Sequence, residues 1–202
     1  KELHETAGVP VRIFRPGYIL AHKTYMGQIN TRDTFTRLLQ GIVTTCLAPR
    51  SFYKPDSSMR APYFDGLPVD IVAKTIAASS VGRWDVAELY SERVVLNDRA
   101  DVNLDTMIGW VKSAGYRVEQ VERYSEWHDE FSNRLNALDR SQRQHSLLPL
   151  VHAWKHPLRR GSVPAGRDRA VNGLLNESPV NEIYVHKCLS DMRMLGLIGP
   201  PE

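Results

Sequence analysis

Eight tyrosines, seven histidines and two cysteines are the side chains of this sequence best suited to proton transfer, metal ligation or nucleophilic attack. A tyrosine four residues before a lysine would place both on one helix face, where the ammonium lowers the phenol pKa for proton transfer. No tyrosine meets that test: the fourth residue after each is His22, Ile29, Ser57, Leu67, Val94, Gln120, His128 or Cys188. Also missing are GxGxxG, GxxGxxG and GxxxxGK[ST], the glycine turns that let backbone N–H groups approach a pyrophosphate. The sequence holds neither GxSxG nor HExxH. His152 and His156 lie one helical turn apart but lack neighbouring acids, so they read as surface histidines and no metal site is expected. Cys46 and Cys188 stand far apart without a CxxC. That excludes a Cys-rich zinc site or disulfide scaffold and fits a reducing, cytoplasmic setting.

The elements that must position such residues are legible in part. Lys1 to Ala7 reads as the end of a helix, with Gly8 in the left-handed position that closes it. Because residue 1 is Lys and not Met, the chain is expected to be a piece of a longer polypeptide. Val9 to Phe14 reads as a strand stopped by Arg15-Pro16-Gly17, and Tyr18 to Asn30 as a loop turning again at Gly27. Asn30 or Thr31 is the expected cap of a helix with Asp33 in its first turn and Phe35, Leu38, Leu39, Ile42 and Val43 on one face. Residues 48–65 read as a loop. Leu67 to Asp70 leads into a helix with Val69, Val72, Ala73 and Ile76 on one face, and Asp70 serves as a helix-terminal acid. Arg93 to Asn97 reads as a strand.

The second half reads as mainly helical. Asn103 caps a helix bearing Leu104, Met107, Ile108 and Val111, closed by Gly115, and Tyr116 to Val121 is a short strand. Ser125 opens a helix with Trp127, Phe131, Leu135 and Leu138; a second helical stretch ends near Pro149, and a loop runs from His156 to about Ser178. Ser178-Pro179 is the expected cap and first residue of the last helix, whose stripe is Val180, Ile183, Tyr184, Lys187, Cys188, Asp191, Met192 and Leu195, closed by Gly196. Trp110, Trp127 and Phe131 are assigned to the core. The Arg159, Arg160, Arg167, Arg169 and Lys155 group reads first as a solvated loop and second as a receptor for a phosphate or an acidic partner.

Composition limits the alternatives. The chain has 202 residues, 42% hydrophobic and 24% charged, which is ordinary for a globular domain. No apolar run approaches the roughly 18 residues of a membrane helix, so no membrane segment is expected. A net charge of +3, with no nucleic-acid-binding motif, gives no reason to expect nucleic acid.

One stretch, Val9-Pro10-Val11-Arg12-Ile13-Phe14-Arg15-Pro16-Gly17-Tyr18-Ile19-Leu20, resembles the strand that follows the Tyr-Lys helix in extended short-chain dehydrogenases/reductases. Further stretches are similar to the terminal thioester reductase domains of carboxylic acid reductases and non-ribosomal peptide synthetases. They are Gly27 to Asn30, the Phe35–Gly41 helix, Ala48-Pro49-Arg50-Ser51-Phe52-Tyr53 and Leu67-Pro68-Val69-Asp70-Ile71-Val72-Ala73. Ile108 to Val111, Ala114 to Tyr116 and Tyr124 to Trp127 continue the match, while Leu147 to Leu150 and Met192 to Ile198 resemble the carboxylic acid reductase branch. The resemblance covers nearly the whole chain in order. The turn departs from that branch: Arg15-Pro16-Gly17 stands where many carboxylic acid reductases look like Arg-Ser-Asp, and both aldehyde and alcohol remain open as products.

The resemblance implies an α/β fold: the C-terminal portion of a Rossmann-like extended short-chain dehydrogenase/reductase fold plus a mainly helical substrate subdomain. Residues 1–100 would complete the dinucleotide-binding domain and residues 101–202 would form the substrate subdomain. It implies NADPH as cofactor, with Pro16, Gly17, Tyr18 and Ile19 against the nicotinamide. It implies a substrate carried on phosphopantetheine by an acyl or peptidyl carrier domain of the same polypeptide, with His22, Tyr25, Gln28 and Asn30 beside it. Asn30 serves equally well as a helix cap. The catalytic residues are expected upstream of Lys1, so the chain alone is expected to be inactive. The rival reading is a non-catalytic carrier-docking or scaffold module derived from such a domain. An epimerase-type reductase on the same scaffold fits the Leu147–Leu150 and Met192–Ile198 stretches less well.

Overall fold

The computed structural model describes residues 2–55, 64–81, 90–97, 102–158 and 178–201. Helix α1 (Glu2–Ala7) ends at Gly8, whose φ of 61° lets its N–H reach back to His4 O at 3.0 Å. Strand β1 (Val11–Pro16) begins two residues later than the pattern suggests, because Pro10 has no N–H to give a ladder. It pairs in parallel with β5 (Tyr90–Val95), from Val11 opposite Tyr90 to Pro16 opposite Val95. Strand β5 ends before the expected Asn97, whose N–H turns aside to Asp65 O at 3.1 Å. Two shorter parallel pairs are β2 (Ile19–Leu20) with β4 (Leu67–Pro68), and β3 (Leu47–Pro49) with β6 (Glu119–Val121).

Side-chain caps set the helix boundaries. Helix α2 (Thr34–Thr45) starts at Asp33, whose Oδ1 accepts Thr36 N–H at 2.8 Å. Neither Asn30 nor Thr31 caps it: Asn30 Oδ1 is used by Arg32 N–H at 3.0 Å in a turn ahead of the helix. Helix α3 (Val69–Ser80) buries Ile71, Val72 and Thr75, while Val69 and Ala73 face outward. Helix α4 (Leu104–Ser113) has Asn103 as its cap, as expected, and buries Leu104, Met107, Ile108 and Val111. Helix α5 (Tyr124–Ala137) buries Trp127, Phe131 and Leu135. After α6 (Arg140–His145), Pro149 lies at the start of a 3₁₀ segment, Leu148–Trp154, so it opens a turn of helix where the sequence suggests an end.

The last helix, α7 (Glu182–Met194), is capped by Asn181, which accepts Tyr184 N–H at 3.0 Å; Ser178-Pro179 lies outside it. The Ser178 hydroxyl donates to Val180 O and is spent in the preceding turn. The buried face is accordingly Tyr184, Val185, Cys188, Leu189, Asp191 and Met192, and Ile183 is 79% exposed. The Arg159, Arg160, Arg167 and Arg169 group lies outside the described residues.

The main core draws on both halves of the chain: Leu38, Leu39 and Ile42 of α2 meet Trp127 and Phe131 of α5, Met107 of α4 and Val185 and Leu189 of α7. A smaller cluster, Leu67, Ile71, Val72 and Val95 with Phe14 and Ile76, fastens α3 to the β1–β5 pair. Among the described residues no helix is long and apolar enough to cross a membrane.

Candidate active site

The site begins where β1 ends. Gly17 N–H donates to Val95 O at 3.1 Å, and Tyr18 O accepts Leu67 N–H at 2.9 Å, so the turn is tied to β5 on one side and β4 on the other. A Cβ at Gly17 would lie 2.8 Å from Leu96 Cδ2 and 3.0 Å from Asp65 Oδ2, so a larger residue there would have to displace the tips of those two side chains. The Gly17–Tyr18 peptide makes no backbone hydrogen bond through its C=O or N–H among the described residues. It is the main-chain group of the turn that can serve a ligand. Pro16, Gly17, Tyr18 and Ile19 thus form one contiguous, anchored surface, with Tyr18 47% exposed.

The Tyr18 ring leads into a pocket of about 410 Å³. Tyr18 stacks on Phe64 at 5.6 Å between centroids, and Phe64 on Phe35 at 5.1 Å. Leu38, Leu104, Leu150, Ala153, Trp154 and Leu158 complete the apolar walls, and Thr34, Tyr53 and Asp65 add polar groups. The loop before α4 fixes Tyr53: Ser51 Oγ and Phe52 N–H both donate to Asp105, and Tyr53 Oη accepts Leu104 N–H at 3.2 Å. Burial, with a smaller contribution from Asp105 and Asp65, pushes the Tyr53 phenol up to about 12, so it stays protonated. Asp65 is pinned by its neighbours, with Phe64 N–H on Val102 O at 2.8 Å and Asn97 N–H on Asp65 O. Burial raises its carboxyl above the ordinary range, against a hydrogen bond from its own N–H.

His22, Tyr25, Gln28 and Asn30 do not line this pocket. They lie on the adjoining 21–30 loop. His22 and Tyr25 stack at 3.9 Å, and His22 Nδ1 faces the N–H groups of Thr24 and Tyr25 at 3.1 Å each. Gln28 and Asn30 are exposed. Helix α7 holds the loop: Tyr184 Oη donates to Ala21 O at 3.0 Å and Gly27 N–H to Asp191 Oδ1 at 2.8 Å. Asp70 assists by accepting Lys23 N–H at 3.1 Å.

The structure adds Thr34, Tyr53, Phe64 and Asp65 to the site. Three of these four come from the 48–65 stretch, which has no periodicity to mark them; the one local signal is an aromatic and an acid, Phe64-Asp65, directly before the Gly66 turn. A separate cluster, Ser113, Glu182 and His186, does not form a nucleophile. His186 Nε2 lies 3.0 Å from both Ser113 Oγ and Trp110 O, and the Ser113 hydroxyl is also within reach of Glu182. A nitrogen that donates to a carbonyl cannot also accept the serine proton, so this group clamps α4 to α7. No metal-holding group of three His, Cys, Asp or Glu occurs among the described residues.

The profile of a NAD-binding family described as male sterility protein matches residues 1–76, a span that takes in the Pro16–Ile19 turn and Asp65. The chain is 41% identical over 160 residues to a carboxylic acid reductase of Segniliparus rugosus, covering 78% of this chain and 13% of that protein. It is 35% identical over 210 residues to a carboxylic acid reductase of Mycobacterium marinum, covering 98% of this chain and 18% of that one. Its fold superposes on the reductase (R) domain of a nonribosomal peptide synthetase from Mycobacterium tuberculosis with a TM-score of 0.84 at 32% identity, over 98% of this chain and 49% of that one. The chain belongs to the thioester reductase domains of the extended short-chain dehydrogenase/reductase type. It spans about half the length of the solved R domain and less than a fifth of the curated carboxylic acid reductases. The R-domain fold accounts for the parallel β1–β5 pair as part of a Rossmann-like α/β frame, and the pocket beside it is lined from both halves of the chain.

Proposed function

We propose that the chain is the substrate-side part of an NADPH-dependent reductase that converts an acyl thioester to an aldehyde. The acyl group is carried on phosphopantetheine by an acyl or peptidyl carrier domain. The observation that supports this reading is the junction of turn and pocket: Tyr18 belongs to both, so a ring held at the turn faces the mouth of an apolar cavity. The Gly17–Tyr18 peptide fits the carboxamide of a nicotinamide, which needs a hydrogen-bonding partner in a fixed place, and Pro16, Gly17, Tyr18 and Ile19 would hold that end of the cofactor. When bound, NADPH supplies the hydride.

The thioester carbonyl carbon takes that hydride and its oxygen a proton, giving a hemithioacetal. Its C–S bond then breaks, the hydroxyl proton passes to sulfur, and aldehyde and free thiol leave. Phe35, Leu38, Phe64 and Leu104 enclose the acyl chain and keep water from the thioester. His22, Tyr25, Gln28 and Asn30, on the loop held by α7, flank the approach of the phosphopantetheine arm. Residues 1–100 carry the nicotinamide turn and residues 101–202 much of the acyl wall. The sequence has no Tyr-x-x-x-Lys pair and no glycine-rich phosphate loop, so the proton donor and the phosphate site come from other residues of the same polypeptide. The two free cysteines suit a cytoplasmic enzyme.

The test uses the polypeptide in which this chain is made, given NADPH and an acyl thioester on its carrier. NADPH is expected to be consumed one for one with aldehyde formed, and the 202-residue chain by itself to do neither. An intact thioester beside unspent NADPH, or turnover by the 202-residue chain alone, contradicts the proposal.

A further inference from the structure

Asp65 is the only charged side chain among the described residues lining the pocket. Its Oδ2 lies 3.0 Å from the position a Cβ on Gly17 would take, so the carboxylate stands at the turn end of the cavity. Leu96 and Phe64 flank it with apolar surface, and no lysine, arginine or histidine faces it among the described lining residues. The phenols of Tyr18 and Tyr53 both feel its charge, which places them near it, and as neutral groups neither offsets that charge.

We propose that Asp65 is a charge filter: it makes the pocket admit uncharged or cationic chain ends and refuse free carboxylates. The inference rests on the reading of this cavity as the acyl site and adds the class of ligand it rejects. A second carboxylate brought into a poorly solvated cavity meets a like charge with no counter-ion at hand. Thioester and aldehyde are both uncharged, whereas the acid left by thioester hydrolysis is an anion. The filter therefore keeps the hydrolysed chain from occupying the site, while an amide N–H of a neutral ligand finds an acceptor.

Three ligands of one chain length separate this from general desolvation: decanamide, decylamine and decanoate. Each is titrated at mildly alkaline pH into the polypeptide in which this chain is made, and binding is followed by calorimetry. Decanoate is expected to bind at least about tenfold more weakly than decanamide, and decylamine at least as tightly as the amide. In D65N the gap between decanoate and decylamine is expected to close to within about threefold, with amide binding retained as the sign of an intact fold. An amine and an acid equally weakened relative to the amide in the wild type would assign the effect to desolvation and overturn the filter, without needing the variant. An unchanged ranking in D65N would overturn it too. If none of the three binds, the acyl-pocket reading itself fails, and the filter with it.

Discussion

Asp191 is a carboxylate with no exposed surface, and it touches the chain at two distant points: Lys187 Nζ at 2.6 Å from Oδ2 and Gly27 N–H at 2.8 Å from Oδ1. Removing one member of a buried pair leaves the other charge uncompensated, which is costlier than removing both. D191A is therefore expected to lower unfolding free energy by about 3–5 kcal/mol in urea melts and to speed amide exchange at Gly27. An effect below about 1 kcal/mol would mean that the pair is not held as described. Asp65 should act in the opposite sense. Its carboxyl is raised by burial, so the folded state binds its proton more tightly than the unfolded chain does, and stability falls as pH rises from the ordinary carboxylate pKa through the folded value. D65N is thus expected to raise Tm at neutral pH by a few degrees, with the gain vanishing at pH below the ordinary carboxylate range; an equal gain at both would contradict it. The sequence shows Asp191 as an acid in a helical stripe but not its partner Gly27, because that contact spans 164 positions and follows from packing alone.

At the scale of elements, the helices whose caps follow local chemistry were legible, and the others were not. Asn103 is followed directly by the apolar spacing of α4, so cap and face agree. Before α2, Asn30, Thr31 and Asp33 are all competent caps, and the choice of Asp33 depends on Asn30 being spent on Arg32. Before α7, Ser178-Pro179 has the expected pattern, yet the hydroxyl turns to Val180 O and Asn181 takes the end. Helix α2 also holds a contact that propensity alone reads with the wrong sign. A Cβ at Gly41 would lie 2.8 Å from Phe131 Cζ of α5. In an exposed helix Gly→Ala gains about 1 kcal/mol. Here G41A forces the ring of a fully buried Phe131 to move and is expected to cost about 1–3 kcal/mol in a chemical melt. A stabilised G41A would show that α2 and α5 are not in such close contact.

Across the whole molecule, the order of elements and the R-domain resemblance could be read from the Val9–Leu20 and Leu67–Ala73 stretches, since a strand followed by a Pro-Gly turn is a local feature. The pocket could not, since it joins Tyr18, Phe35, Tyr53, Phe64 and Trp154 from four separate stretches. Ala153 offers a way to block it without disturbing the core, because its side chain is exposed at the rim. A153W is expected to weaken binding of long acyl chains by about tenfold or more while leaving Tm within a degree or two, given that surface changes seldom exceed about 0.5 kcal/mol. Unchanged acyl affinity would place the chain elsewhere.

Whether a hydride reaches a thioester carbonyl beside the Gly17–Tyr18 turn is decided by a single turnover of the polypeptide in which this chain is made, with NADPH deuterated at the transferred position and an acyl thioester on its carrier. One deuterium is expected on the aldehyde carbon by mass spectrometry, and a rate lowered at least about tenfold by G17V, whose side chain must displace Leu96 or Asp65 from the turn. Aldehyde without deuterium, or a G17V enzyme as fast as the wild type, would contradict that transfer.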